Sequence, residues 1–144
     1  MLVIGGVLAF FAVRTFQPKD ALALEQAERL RNDLRHVQML AITWGQALRL
    51  TAGAASYSVS CVTAAATPPC NASPVIDPAT LKDYAVSLES GLSLAGPGTL
   101  DFDALGRPKN GATLLTANAT FTISGASAAR SVVVAPLTGF ATAQ

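Results

Sequence analysis

The sequence of 144 residues has little charge and few of the side chains that usually carry catalysis. Asp, Glu, Lys and Arg make up 13% of it, and 10 basic residues nearly balance 9 acidic ones. This balance argues against a protein that coats nucleic acid, which would show a strong basic excess. The single histidine and the lack of a nucleophile motif leave no hydrolase triad, and no glycine-rich loop precedes a lysine for phosphate. We therefore expect no enzyme, no cofactor and no small-molecule substrate.

Metal ligands are also scarce. Asp101 and Asp103 could form a pair of metal ligands, with Asn110 as a third oxygen donor. The alternation of Leu100, Asp101 and Phe102 instead favours a strand with two solvent-exposed acids on its outer face. Because a zinc site would need more histidines or cysteines than the chain supplies, no metal is predicted.

Only two cysteines are present, Cys61 and Cys70, with eight residues between them that include Pro68 and Pro69. An even cysteine count and a short intervening loop suit a disulfide in an oxidising compartment. The alternative is two unpaired thiols in a reducing compartment. Both cysteines flank a polar, turn-rich stretch and not a core run, which favours the disulfide.

The first 13 residues, MLVIGGVLAFFAV, contain no charged or polar side chain. A helix that crosses a bilayer needs about 20 residues. A buried core helix is disfavoured because the segment is apolar on every face. A signal peptide could use Ala21-Leu22-Ala23 as a cleavage site, but no basic region precedes the apolar run. The stretch between the run and this site is also long and charged for a signal peptide, since it contains Arg14 and Lys19. The third interpretation is a membrane helix whose first turns lie upstream of Met1.

A second helical pattern follows, and it is apolar on one side only. Apolar residues recur at steps of four and three, and charged residues fall off this stripe. The pattern predicts an amphipathic helix over residues 23–54, with Gly53 as its stop signal. His36 lies at the boundary of the stripe, where we expect a packing or surface role. The stripe that should pack on a sheet comprises Leu30, Leu34, Val37, Ala41, Trp44 and Leu48, preceded by Ala23 and Ala27.

Beyond residue 55 the period changes to that of strands. Tyr57, Val59 and Cys61 alternate with serines, and a proline-rich loop follows over residues 63–78. Glycine, proline and Asn-Gly turn signals separate the later segments. Short strands at this density predict a small antiparallel sheet or sandwich. The candidate strands are residues 84–88, 92–94, 99–103, 119–124, 131–135 and 138–142.

Four segments in order along the chain carry a family resemblance. Residues 2–16, LVIGGVLAFFAVRTF, resemble the second half of the N-terminal helix of type IV pilins and type II secretion pseudopilins. Residues 31–41, RNDLRHVQMLA, resemble the helix end of the H-type pseudopilins, FimT-like proteins and MSHA-type minor pilins. LDFDALGRP at 100–108 and SVVVAPLTGF at 131–140 resemble strands and turns of the same subgroup. The prepilin-peptidase site of the family has no match in this chain, so we expect it upstream of Met1.

The resemblance implies an α+β, pilin-like fold with three parts. These are a hydrophobic membrane or filament-core segment (residues 1–22), an amphipathic helix (23–54) and a β-rich periplasmic domain (55–144). It implies a structural minor subunit of a type IV pilus or type II secretion pseudopilus. Such a subunit is held in the bacterial inner membrane and then packs against other pilin subunits in a filament. The implied membrane and filament residues are Leu2, Val3, Ile4, Val7, Leu8, Phe10, Phe11 and Val13.

The same subgroup offers an alternative function, a FimT-like DNA-binding or adhesin-like module at a pilus tip. DNA binding would need clustered basic and aromatic residues on an exposed surface. The β-region contains only Lys82, Arg107, Lys109 and Arg130, and the last six residues have no basic side chain. Arg107, between Gly106 and Pro108, is better interpreted as a turn residue than as an anion site. We expect no binding to nucleic acid.

Overall fold

A computed structural model describes residues 18–125 and 128–144 of the chain. The residues predicted to form the membrane and filament-core segment, from Leu2 to Val13, lie outside the described part. Within it, no helix combines the length and the apolar character that a bilayer crossing requires.

One long helix opens the described chain. This helix, α1, spans Pro18–Trp44, and proline is well tolerated in a first helical turn. The helix ends because Gly45 adopts φ +62, a left-handed conformation that glycine reaches easily. The Gly45 and Gln46 amides then donate to the carbonyls of Ile42 and Ala41. The predicted continuation to residue 54 is wrong, because the spacing from Trp44 to Leu48 matches a helical step only by coincidence.

In the described part of the chain, twelve short strands follow α1, and they form three antiparallel sheets. A six-stranded sheet has the order β5-β2-β1-β7-β8-β9, a four-stranded sheet the order β12-β11-β10-β6, and β3 pairs with β4 alone. The bounds are β1 (Leu48–Ala52), β2 (Ser56–Cys61), β3 (Ile76–Asp77), β4 (Lys82–Asp83), β5 (Ala85–Ser87), β6 (Ser93–Ala95), β7 (Thr99–Phe102), β8 (Pro108–Asn110), β9 (Thr113–Leu114), β10 (Ala119–Ser124), β11 (Ala129–Val134) and β12 (Ala141–Ala143).

This architecture confirms the predicted α+β class, with a long helix packed on antiparallel sheet. Most longer strands lie close to their predicted positions, whereas β1 was placed in the helix. Four further strands were not predicted, and each has only two or three residues: β3, β4, β8 and β9. Segments that short cannot show alternation, so their pairing depends on neighbouring strands. The sheet domain therefore begins at Leu48 and not at residue 55.

The core lies between α1 and the inner faces of the two larger sheets. On α1, Leu30, Leu34, Val37 and Ala41 have no solvent exposure. Leu48, which the sequence placed on the helix, is fully buried on β1 and pairs with Phe102 of β7. Trp44 is only partly buried at the end of α1, where it packs against the core cluster. The four helix residues, with Ala23 and Ala27 before them, form the stripe that joins α1 to both sheets.

Candidate interaction surface

An ion pair whose carboxylate is buried lies where the sequence predicted an exposed acid. Arg49 of β1 and Asp101 of β7 are directly opposite in the register. The Arg49 guanidinium donates two hydrogen bonds, of 2.7 and 2.8 Å, to the two carboxylate oxygens of Asp101. The Asp101 side chain is 3% exposed, so the prediction of a solvated Asp101 is wrong. The alternation places Asp101 on the outer face, but β7 is an internal strand and the Arg49 side chain covers the carboxylate.

The second acid of the suggested metal pair stabilises a turn. The Asp103 carboxylate accepts hydrogen bonds from the backbone amides of Leu105 and Arg107 and from the Arg107 guanidinium. Partial burial alone would raise the pKa of Asp103, but the hydrogen bonds from Arg107 and Leu105 outweigh it and lower that pKa. Arg107 is thus a turn residue, although its side chain binds a carboxylate and not loop carbonyls. Among the residues described, no three acidic, histidine or cysteine side chains group as metal ligands would.

A polar cluster connects α1 to the six-stranded sheet. The Asp33 carboxylate of α1 accepts a 2.5 Å hydrogen bond from the Tyr57 hydroxyl and a 3.2 Å one from the Tyr84 hydroxyl. The Tyr84 hydroxyl also lies 3.3 Å from Nδ1 of His36. Burial raises the pKa of both tyrosines well above the ordinary value, and the negative charge of Asp33 adds to this effect. The cluster fixes one flank of α1, and His36 has a packing role.

These two tyrosines, the only ones in the chain, should resist ionisation while the protein is folded. Their pKa values are raised in the folded state, so their contribution to stability is present below about pH 10 and is lost as the pH rises further. We expect absorbance at 295 nm to show no phenolate near pH 10 and then both phenols ionising as circular dichroism is lost. In guanidinium chloride, both should titrate near the ordinary value. Ionisation near pH 10 with the fold intact would contradict the cluster.

On the opposite flank of α1, two polar side chains bind backbone carbonyls of the sheet domain. The Arg35 guanidinium donates two hydrogen bonds, of 3.2 and 3.0 Å, to the Ala141 carbonyl. The Gln38 amide donates to the carbonyls of Gly106 and Thr138, at 2.8 and 2.7 Å. Gln38 therefore connects α1 to the turn before β8 and to the turn before β12, which are adjacent in space but far apart in sequence.

Two glycines allow these turns to approach α1 closely. A Cβ on Gly106 would lie 2.7 Å from Cδ1 of Ile42, and one on Gly139 would lie 2.7 Å from Nε2 of Gln38. Both glycines also adopt positive φ, +78 and +68. A larger residue at either position would push a turn away from the helix. The Gly-Arg-Pro and Thr-Gly motifs noted in the sequence thus belong to one contact with α1.

The disulfide prediction is confirmed. Cys61, at the end of β2, is bonded to Cys70, and their Cα atoms are 5.5 Å apart. The bond closes the loop that contains Pro68 and Pro69. The Ala65 amide also donates to the Cys70 carbonyl inside this loop, which helps to fix its conformation.

Beside the Arg35 and Gln38 contacts lies an exposed apolar surface, which we call the apolar groove. Its three apolar residues are 53–64% exposed. They line a depression of about 290 Å³ together with Arg35 and Gln38. Exposed apolar side chains that lie together in this way mark interaction sites. The apolar residues of the groove are Met39 and Ile42 of α1 and Phe140, in the turn before β12.

The contacts of Asp33, Arg35 and Gln38 were not predicted, although all three residues lie within the segment 31–41 that resembles the family. A helical projection offered a signal, since Arg35, Gln38 and Ile42 share one flank of α1 and Asp33 and His36 the other. Their partners, however, are 24 to 106 residues away along the chain, and no local pattern reveals them.

Comparison with known proteins supports a pilin-like assignment. A family model described as type II transport protein GspH matches residues 26–138. The minor pseudopilin EpsH of the Vibrio cholerae type 2 secretion system superposes with a TM-score of 0.60 at 14% identity, over 85% of this chain and 95% of that chain. The type IV minor pilin FimU of Pseudomonas aeruginosa superposes with a TM-score of 0.55 at 16% identity, over 85% and 86%. No curated protein matches the sequence.

Proposed function

This chain belongs to the type II transport protein GspH family, and on that premise we propose that residues 1–13 anchor it in the bacterial inner membrane and then pack in a filament core. Family membership makes the chain a structural minor pilin or pseudopilin subunit, which assembles with other such subunits in a pilus or pseudopilus filament. We propose two further points. Residues 1–13 are the segment through which the subunit assembles, and the inner membrane holds the subunit before assembly.

The observation that carries the proposal is the change of pattern along the N-terminal half. Residues 1–13 have no charged or polar side chain, which suits lipid or a bundle of apolar helices. The helix α1 that follows buries one stripe against the sheets of its own chain and exposes polar residues elsewhere. Burial of apolar area contributes about 25 cal/mol per Å², so a wholly apolar segment associates strongly with lipid or with its own kind.

In residues 18–125 and 128–144, the acids that could serve a reaction site already have partners. Asp101 and Asp103 form ion pairs with arginines, and Asp33 accepts hydrogen bonds from two tyrosines. We infer that the β-domain acts through contacts with neighbouring subunits and that it catalyses no reaction. Its few basic side chains include Arg107, which is already paired with Asp103, and this supports the expectation that nucleic acid is not a partner.

Deleting residues 1–14 tests the proposal. We expect the truncated chain to be soluble and to melt cooperatively, because the α1 stripe and both larger sheets are retained. It should be lost from the membrane fraction and from sheared filaments, as measured by immunoblotting. A full-length chain with Leu81→Ser is the matched control: Leu81 is 79% exposed on the β-domain, so this variant should still be recovered with membranes.

Two outcomes would contradict the proposal. Aggregation or a non-cooperative melt of the truncated chain would place residues 1–14 in the core of the fold. Undiminished recovery of the truncated chain in filaments would show that assembly does not need this segment.

A further inference from the structure

The two larger sheets have four edge strands, and three of these edges are covered or very short. The Leu94 amide of β6 donates a hydrogen bond to the Ala54 carbonyl, and the Ala141 carbonyl of β12 accepts two from Arg35. The third edge strand, β9, has only two residues. Natural proteins restrict sheet edges in these ways because an open edge pairs with other chains. The remaining edge strand, β5, has an open side.

The open side of β5 follows from its pairing with β2. At the two ends of this pairing, the Tyr84 carbonyl accepts a hydrogen bond from β2, and the Leu88 amide donates one to the residue before β2. Because bonded and non-bonded positions alternate along an antiparallel pair, Ala85 and Ser87 direct their N–H and C=O groups away from β2. Both residues are exposed, and β5 is the last strand of its sheet within the described chain. Two backbone donors and two acceptors therefore face outward.

A depression beside this open edge can receive side chains of an added strand. It has a volume of about 340 Å³ and lies where β1, β2 and β5 are side by side. Six of its nine lining residues are glycine, alanine or serine, so it leaves room for large side chains. In strand addition, backbone hydrogen bonds supply the affinity, and such depressions select the side chains. Bulky side chains are therefore expected on the face of the added strand that lies beside Ala85 and Ser87.

Negative charge flanks the open edge. Asp83 lies two residues before β5 and Glu89 two residues after it, and both are exposed. Neither takes part in the ion pairs found among the described residues. Lys82, next to Asp83, lies opposite Asp77 in the register of β3 and β4. Because opposite charges on neighbouring strands attract, the added strand should carry a basic residue near each end.

A second copy of the chain does not offer an edge strand of that kind. Pairing of two β5 strands about Val86 would place Asp83 of each copy opposite Glu89 of the other, which sets like charges against each other. The other edge strands, β6, β9 and β12, contain no basic residue. An extended segment of a different protein can meet both requirements.

We propose that β5 binds an extended segment of a different protein, which adds to the six-stranded sheet as an antiparallel strand. The segment forms backbone hydrogen bonds with Ala85 and Ser87 and places bulky, uncharged side chains over the depression. A basic residue near each of its ends lies close to Asp83 or Glu89. This inference goes beyond the proposed function, because the contact uses neither residues 1–13 nor a filament core.

Binding of a designed peptide to the full-length chain in detergent tests the inference. The probe is the capped, fluorescent peptide Lys-Thr-Phe-Val-Tyr-Thr-Lys, whose Phe and Tyr are spaced to lie beside Ser87 and Ala85. We expect saturable binding, measured by fluorescence anisotropy. Methylation of the Phe and Tyr amide nitrogens should weaken this binding at least about tenfold, because it removes the two donors that face β5. Absence of binding would overturn the inference.

A second methylated peptide is the matched control. It carries the two methyl groups on the amide nitrogens of Val and of the second Thr, which point away from β5 in the same alignment. Its affinity should fall by less than about threefold. Equal losses from the two methylated peptides would show that the peptide does not add as a strand, and the inference would be wrong.

The variant Ser87→Pro tests the edge from the side of the protein. It removes an N–H that faces outward, and proline is tolerated on edge strands, so the melting temperature should change little while peptide binding falls at least about tenfold. Ala143→Pro, at an edge position of β12, is the control and should bind the peptide as the unaltered chain does. Equal binding by the two variants would overturn the inference. So would a dimer of the full-length chain that Ser87→Pro abolishes in sedimentation, because the occupant would then be a second copy.

Exchange of the flanking charges gives an independent measurement. Asp83→Lys with Glu89→Lys should bind the lysine peptide about tenfold more weakly than the unaltered chain does. It should bind the same peptide with glutamate at both ends about tenfold more tightly. Both positions are exposed, so the fold should be retained. An unchanged preference between the two peptides would overturn the inference.

Membrane fractionation of the same double variant separates this inference from the proposed function. Its recovery with membranes should equal that of the unaltered chain, because residues 1–13 are unchanged. Failure of peptide binding would therefore refute the β5 contact and leave the role of residues 1–13 intact.

Discussion

Replacing Arg49 by methionine should lower the free energy of unfolding by about 1.5 to 3 kcal/mol, as measured by urea denaturation at neutral pH. The reason is that Asp101 is 3% exposed and would remain in the sheet without its counter-charge. Methionine preserves much of the length and apolar contact of the arginine side chain, so the loss reports on the charge and not on packing.

The other half of the pair provides the control. Asp101→Asn should cost only about 1 kcal/mol, because the Arg49 side chain is 35% exposed and water can solvate its guanidinium. A double variant, Arg49→Met with Asp101→Leu, should recover much of the stability lost in the single variant, since it leaves no buried charge. If Arg49→Met lowers the free energy of unfolding no more than Asp101→Asn does, Asp101 does not depend on Arg49 as its counter-charge.

Replacing Leu34 by alanine should have a comparable effect, a loss of about 2 to 5 kcal/mol in the free energy of unfolding. Leu34 has no solvent exposure and lies near the middle of the buried stripe on α1. Its truncation leaves a cavity between the helix and the sheets that the backbone cannot close easily.

Two other positions on α1 calibrate that result. Trp44→Ala should cost less than Leu34→Ala, because Trp44 is only partly buried at the helix end, although the sequence marked it as a core anchor. Met39→Ala, at a position that is 64% exposed, should change the free energy of unfolding by less than about 0.5 kcal/mol. Similar losses at all three positions would show that α1 is not held by its buried stripe. Urea denaturation measures all three.

The features that the sequence revealed are those with a regular period. The stripe of Leu30, Leu34, Val37 and Ala41 follows the helical repeat, and β10 follows the alternation of Ala119, Phe121 and Ile123. The Cys61–Cys70 bond could be anticipated because the two cysteines are close in sequence. Such patterns are local, and they can be recognised without knowledge of the tertiary structure.

The features that the sequence concealed depend on contacts between distant segments. The end of α1 was misplaced because Leu48 continues the heptad steps while belonging to a strand. Asp101 was expected in solvent because alternation gives a face of the sheet but not the side chain that covers it. The apolar groove could not be foreseen, since Ile42 and Phe140 line it together only because Gln38 and Arg35 bind segments far along the chain.

The bonds from Arg35 and Gln38 to distant segments also bear on the order of folding. Arg35 lies in α1, but the carbonyl that it binds lies 106 residues later along the chain. Contacts at such long sequence separation form late and slowly. During synthesis the helix therefore remains without this partner until β12 has been made.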